Sequence, residues 1–145
     1  MILYSATKGI DDDEVLFSTV AQINHGLVDS KELTLELRME LADLMEVAGL
    51  KAVERSDFVT ARSYLNSVLS LLPSDHWTSH YDRSLRLYFL SAKTVHACGD
   101  VEKAYEVLQT ITSKARCLLD KLDAYHMIVS VGGVCVAPLL LVLSC

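Results

Sequence analysis

The stretch SDFVTARSYLNSVLSLLP, Ser56–Pro73, carries the pattern from which the rest of the chain can be read. Ser56 and Asp57 each offer a side-chain oxygen to a free backbone N–H at a helix start. Phe58, Ala61, Leu65, Val68, Leu69 and Leu72 then recur at steps of three and four, as on one face of an α-helix. Pro73 lacks an N–H and clashes with the preceding turn, so the helix is expected to end before it.

The same period extends in both directions. Upstream, Leu33, Leu37, Leu41, Leu44, Ala48 and Ala52 form one apolar face, with Glu36, Arg38, Glu40 and Asp43 on the other. Asp29, three residues before Glu32, has the spacing of a capping box for that helix. A shorter helix is expected from about Asp12 to Asn24, with Val15, Phe17, Val20 and Ile23 apolar and Gly26 as its stop. Downstream, a helix is expected from roughly Thr78 to Ala97, with Tyr81, Leu85, Tyr88 or Phe89, Ala92 and Val95 facing inward. Gly99 ends it and Asp100 caps the next, whose inner residues are Val101, Ala104, Leu108, Ile111, Ala115 and Leu118. A last helix begins near Asp120. No segment alternates with period two between turn residues, so no strand is expected.

Two halves of this pattern overlay. Ser56-Asp57-Phe58 with Ala61, Leu65 and Val68 matches Gly99-Asp100-Val101 with Ala104, Leu108 and Ile111. Twelve residues before each alanine stands a small residue, Gly49 or Ala92. Close helix crossings need small side chains, so Gly49 is expected to face Ala61, and Ala92 to face Ala104. The fold class is therefore all-α, built from antiparallel helix pairs.

This arrangement resembles the tetratricopeptide repeat, a helix-turn-helix unit of ~34 residues. In that register Met45 replaces the usual aromatic, Gly49 and Ala61 are the small pair, and Pro73 takes the terminal proline position. In the second unit Tyr88 is the aromatic, Ala92 and Ala104 the pair, and Arg116 replaces the proline. The alanines are 43 residues apart, so about nine residues around Asp75–Arg83 are extra. The resemblance implies a short right-handed α-solenoid, with residues 1–28 as an N-terminal helix and linker, 29–126 as the repeat domain and 127–145 as an apolar tail.

A more particular likeness runs from about residue 12 to 129. Its elements are Leu16-Phe17 with Gln22, Asn24 and Gly26; Leu41-Ala42-x-Leu44; Ala48-Gly49-x-Lys51-Ala52; Tyr64-Leu65; Leu71-Leu72-Pro73; Trp77 and Tyr81; Gly99-Asp100; and Asp120-Lys121. Together they resemble the helical region of large multidomain signalling proteins that combine a protein-kinase-like domain, a P-loop ATPase, GAF and histidine-kinase domains. The likeness implies a non-catalytic scaffold, a piece of such a protein, whose partners are other proteins or adjoining domains. The chain has no G-x-x-x-x-G-K-[ST] phosphate loop and no H-R-D or D-F-G element, so no catalytic residue is carried over.

Composition narrows the function classes. The net charge is −6 over 145 residues, with 51% hydrophobic residues. A basic face for nucleic acid is not expected. Lys51, Arg55, Arg62, Lys93, Lys103 and Lys114 alternate with Glu46, Glu54, Asp57, Glu102 and Glu106, the pattern of solvated faces. Asp11, Asp12, Asp13 and Glu14 suit the positive end of a helix dipole. Cys98, Cys117, Cys135 and Cys145 lack metal-knuckle spacing and read as reduced thiols of a cytoplasmic protein. His76 and His80 are four apart, but no third ligand accompanies them, so neither metal nor cofactor is expected. Trp77 and Tyr81 read first as core residues of the inserted turn and second as an aromatic anchor for a partner.

Met127–Cys145 carries no charge over 19 residues, and as a helix would reach roughly 28 Å. Three readings stand. It is a membrane anchor holding a helical adaptor, an apolar last helix packed on the repeats, or an altered end foreign to the repeat. The third is favoured, because the repeat pattern stops near Val129 and Gly132, Gly133 and Pro138 interrupt a regular helix.

Overall fold

Two turns with the same geometry organise the chain. In this computed structural model, which describes residues 13–26 and 33–132, helix α2 (Leu35–Glu54) is joined to α3 (Phe58–Leu71) through Arg55, Ser56 and Asp57. Ser56 sits in the left-handed region at φ 60°. Its N–H donates to the Val53 carbonyl, and the Asp57 N–H donates to the Ala52 carbonyl, both at 2.9 Å. This pair of bonds is the Schellman arrangement, which satisfies the last carbonyls of a helix. Asp57 then serves the next helix: its side chain accepts from the Thr60 N–H at 3.2 Å. Of the two candidate caps, Asp57 is the one used and Ser56 makes the turn.

The second turn, between α5 (Tyr81–Ala97) and α6 (Val101–Lys114), repeats each step. Gly99 lies at φ 83°. Its N–H donates to His96, and the Asp100 N–H donates to Val95. The Asp100 side chain accepts from the Lys103 N–H at 3.1 Å. The N-caps have nearly equal dihedrals, φ −85°, ψ 73° at Asp57 and φ −90°, ψ 77° at Asp100. Both following helices have 14 residues and end in an extended residue, Leu72 and Ala115. At Leu72 the cause is local: Pro73 excludes the helical region for the residue before it.

All elements among the described residues are helices. The others are α1 (Asp13–Gly26), the single turn α4 (His76–Ser79) and α7 (Leu118–Gly132). The chain divides into two compact units, Met1–His76 and Trp77–Cys145. The sequence reading sets boundaries at 28/29 and 126/127. The first falls outside the described residues, and α7 runs unbroken across the second.

In the first unit α2 and α3 pack together along Leu41, Leu44, Met45, Ala48, Ala52, Ala61, Leu65, Val68 and Leu71, all buried. Helix α1 lies beside them and buries Leu16 and Val20. The N-cap of α2 is Thr34, whose Oγ1 accepts from the Leu37 N–H at 3.4 Å, so Leu33 precedes the helix. The Asp29 cap expected there lies outside the described residues.

In the second unit Ala92, Leu108, Ile111, Ala115, Ala124 and Ile128 form the core, edged by Trp77, Leu85, Tyr88, Phe89, Tyr105, Met127 and Val131. The expected helix from Thr78 is broken at His80, which caps α5 without a side-chain bond. Helix α5 also buries a row that its sequence disguises: Ser84, Leu87, Ser91 and Thr94. The hydroxyls of Ser84 and Thr94 donate at 2.8 Å to the carbonyls of His80 and Leu90, so these polar side chains are paired inside their own helix. Helix α7 begins at Leu118, two residues before the expected start. Its Met127–Gly132 end belongs to the helical body, while residues 133–145 of the apolar tail lie outside the described residues. No described helix is long and apolar enough to cross a membrane.

Candidate functional site

The helix-pair residues come first, because sequence places them at the closest approach. Gly49, Ala61, Ala92 and Ala104 are all buried. The nearest neighbours of a Cβ at Gly49 are Leu65 Cδ2 at 3.4 Å and Tyr64 Cβ at 3.8 Å, not Ala61. Leu65 lies one helical turn beyond Ala61 on the same face of α3. In the second unit Ala92 and Leu108 belong to one core cluster. Gly49 of α2 therefore seats Leu65 of α3.

Trp77 and Tyr81 stand where α4 and the start of α5 meet the link between α6 and α7. Trp77 is half-buried, its ring 4.9 Å from Tyr88 and edge-on to Tyr81 at 6.2 Å. Tyr81 is half-buried with its hydroxyl fully employed: it accepts from the Arg116 N–H at 2.8 Å and donates to Asp120 Oδ2 at 2.7 Å. The Arg116 guanidinium lies 4.3 Å over the Tyr81 ring and donates to the carbonyls of Trp77 and Thr78 at 3.0 and 3.1 Å. Burial pushes the Tyr81 phenol above its ordinary value, and Asp120 adds to this. The hydrogen bond from Tyr81 holds the Asp120 carboxyl below its ordinary value. At neutral pH the cluster is thus a phenol donating to a carboxylate, clamped by a guanidinium.

That chemistry is cohesive rather than reactive. Arg116 does in hydrogen bonds what a proline does by covalent constraint at Pro73: it fixes an extended corner after a helix. Sequence marks Arg116 only as the missing proline, because its partners lie 35 and more residues away.

A second polar contact fastens α1. The Asp13 carboxylate binds both Lys51 and Arg55, and these bonds, Lys51 first, hold it below its ordinary value. Arg55 lies 4.8 Å over the Phe17 ring, which stacks on Tyr64 at 6.3 Å. Further along, Asn24 Nδ2 donates to Ser63 Oγ at 3.0 Å, and the Ser67 hydroxyl donates to Asn24 Oδ1. Helix α1 therefore runs parallel to α3. Asp13, Lys51 and Arg55 are ion-paired instead of merely solvated.

Among the described residues no group of three or more His, Cys, Asp or Glu could hold a metal ion, and His76 and His80 gain no third ligand there. A surface groove of ≈ 210 Å³ is lined by Thr34, Glu36, Leu37 and Glu40 and is open to solvent. No family model, curated protein or solved structure matches this chain.

Proposed function

We propose that the chain is a non-catalytic helical-repeat scaffold, a segment through which a larger signalling protein binds other proteins or its own adjoining domains. The observation that carries this reading is the repetition at Ser56-Asp57 and Gly99-Asp100 of one turn, one cap and one 14-residue second helix, 43 residues apart. Stacked helix hairpins present long surfaces and few enclosed sites, and nearest-neighbour packing holds them together. The tetratricopeptide-like register and the likeness to the helical regions of multidomain ATPase and kinase proteins support the same reading.

Affinity capture from the source extract tests it. A captured protein, once purified, is expected to rebind the chain saturably, and ATP is expected not to be hydrolysed by the chain alone. Absence of any partner that rebinds, or turnover of ATP, overturns the reading.

A further inference from the structure

Helix α1 is held more lightly than the hairpin it lies on. It buries only Leu16 and Val20, against seven residues buried by α2 and five by α3. The rest of its hold is largely polar and lies at its two ends. Asp13 binds Lys51 and Arg55, and Asn24 sits between the hydroxyls of Ser63 and Ser67. The first contact is open to water, with the Asp13, Lys51 and Arg55 side chains 32%, 39% and 50% exposed. Ion pairs so exposed add little stability. Segments with few buried apolar residues open before the core does.

The face beneath α1 has a chemistry of its own. Lys51 and Arg55, one turn apart at the end of α2, offer two cations to one carboxylate. Tyr64 of α3 is buried, its ring stacked on Phe17 and its hydroxyl donating to the Phe17 carbonyl at 3.5 Å. Ser63 and Ser67, one turn apart on α3, offer two hydroxyls to one amide. Cations, an aromatic ring and hydroxyls in a row are complementary to one side of a helix, the arrangement by which grooves read amphipathic helices. We propose that this row is a docking face for an amphipathic helix of another protein, and that α1 occupies it in the free chain. The residues α1 supplies define the ligand class. It is a helix with a carboxylate in its first turn, an aromatic ring four residues on and an amide seven beyond that, as at Asp13, Phe17 and Asn24. An attached helix competes with a free one, so the affinity for a partner scales with the fraction of chains in which α1 is open. This rests on the scaffold reading, whose partner it describes.

A labelled peptide of residues 13–26 is the probe, titrated by fluorescence anisotropy into the full chain. Asp13→Ala in the chain is expected to tighten peptide binding at least fivefold, with helix content unchanged. Asn24→Ala loosens the other end of α1 and is expected to act in the same direction. A peptide carrying Asp13→Ala is expected to bind the Asp13→Ala chain at least fivefold more weakly than the unaltered peptide does. No binding to either variant chain, or equal binding to parent and variants, overturns the proposal. So does a variant chain that sediments as a dimer, since a second copy would then fill the face. A captured protein that rebinds parent and Asp13→Ala chains equally leaves the scaffold reading standing and overturns this one. Tighter peptide binding with no protein captured does the reverse.

Discussion

Ser56 occupies a backbone region that side chains disfavour by about 1–2 kcal/mol, and it does so where the second turn has glycine. The first turn is therefore the strained copy of the second. Ser56→Gly is expected to raise stability by about 1 kcal/mol and Gly99→Ala to lower it by about 1 kcal/mol, read from denaturant midpoints. Gly49 is a different case. A Cβ there meets Leu65 Cδ2 at 3.4 Å, an ordinary contact, so alanine fits without moving its neighbours. Replacing a mid-helix glycine removes a propensity penalty, and Gly49→Ala is expected to be neutral to stabilising by about 1 kcal/mol. A larger residue such as leucine at 49 would have to displace Leu65 and is expected to destabilise.

At the scale of elements, polar clamps fix what apolar packing leaves free. Tyr81→Phe keeps the ring under Arg116 but removes one acceptor and one donor, so the Trp77–Cys145 unit is expected to lose about 1 kcal/mol. Asp13→Asn is expected to speed amide hydrogen exchange in α1 while leaving α2 and α3 protected, because Lys51 and Arg55 hold α1 through that carboxylate. Acid acts on the same groups. Asp13, Asp57 and Asp120 are all held below the ordinary carboxylate value of 3.8, by Lys51, by the Thr60 cap bonds and by Tyr81 respectively. Groups with lowered values contribute stability that is present above the unfolded value and lost as pH falls through the folded one. Unfolding midpoints are expected to drop below pH 3.8, and less steeply in Asp57→Asn, which keeps a good cap without the titration.

For the whole molecule, what sequence revealed was local and what it hid was distant. The helices, the Asp57 and Asp100 caps and the Pro73 stop follow from neighbours within a few residues, and the structure has them. The Gly49–Leu65 contact joins residues of two helices, and a spacing argument between small residues does not reach it. The Tyr81–Arg116–Asp120 clamp and the Asp13–Lys51–Arg55 contact join residues more than 30 apart, so no periodicity announces them. The buried row of α5 escaped because Ser84, Ser91 and Thr94 break the apolar pattern without breaking the packing, Ser84 and Thr94 by donating their hydroxyls to carbonyls one turn back.

The repeat rests on two equivalent hairpins turning at Ser56 and Gly99. Backbone NMR of the full chain measures this most directly, through chemical shifts and the N–H to Hα coupling at those two residues. Left-handed values at Ser56 and Gly99, flanked by helical shifts over 35–54, 58–71, 81–97 and 101–114, are expected. Helical shifts running unbroken through Ser56, or a left-handed residue at Gly99 alone, would contradict the repeat.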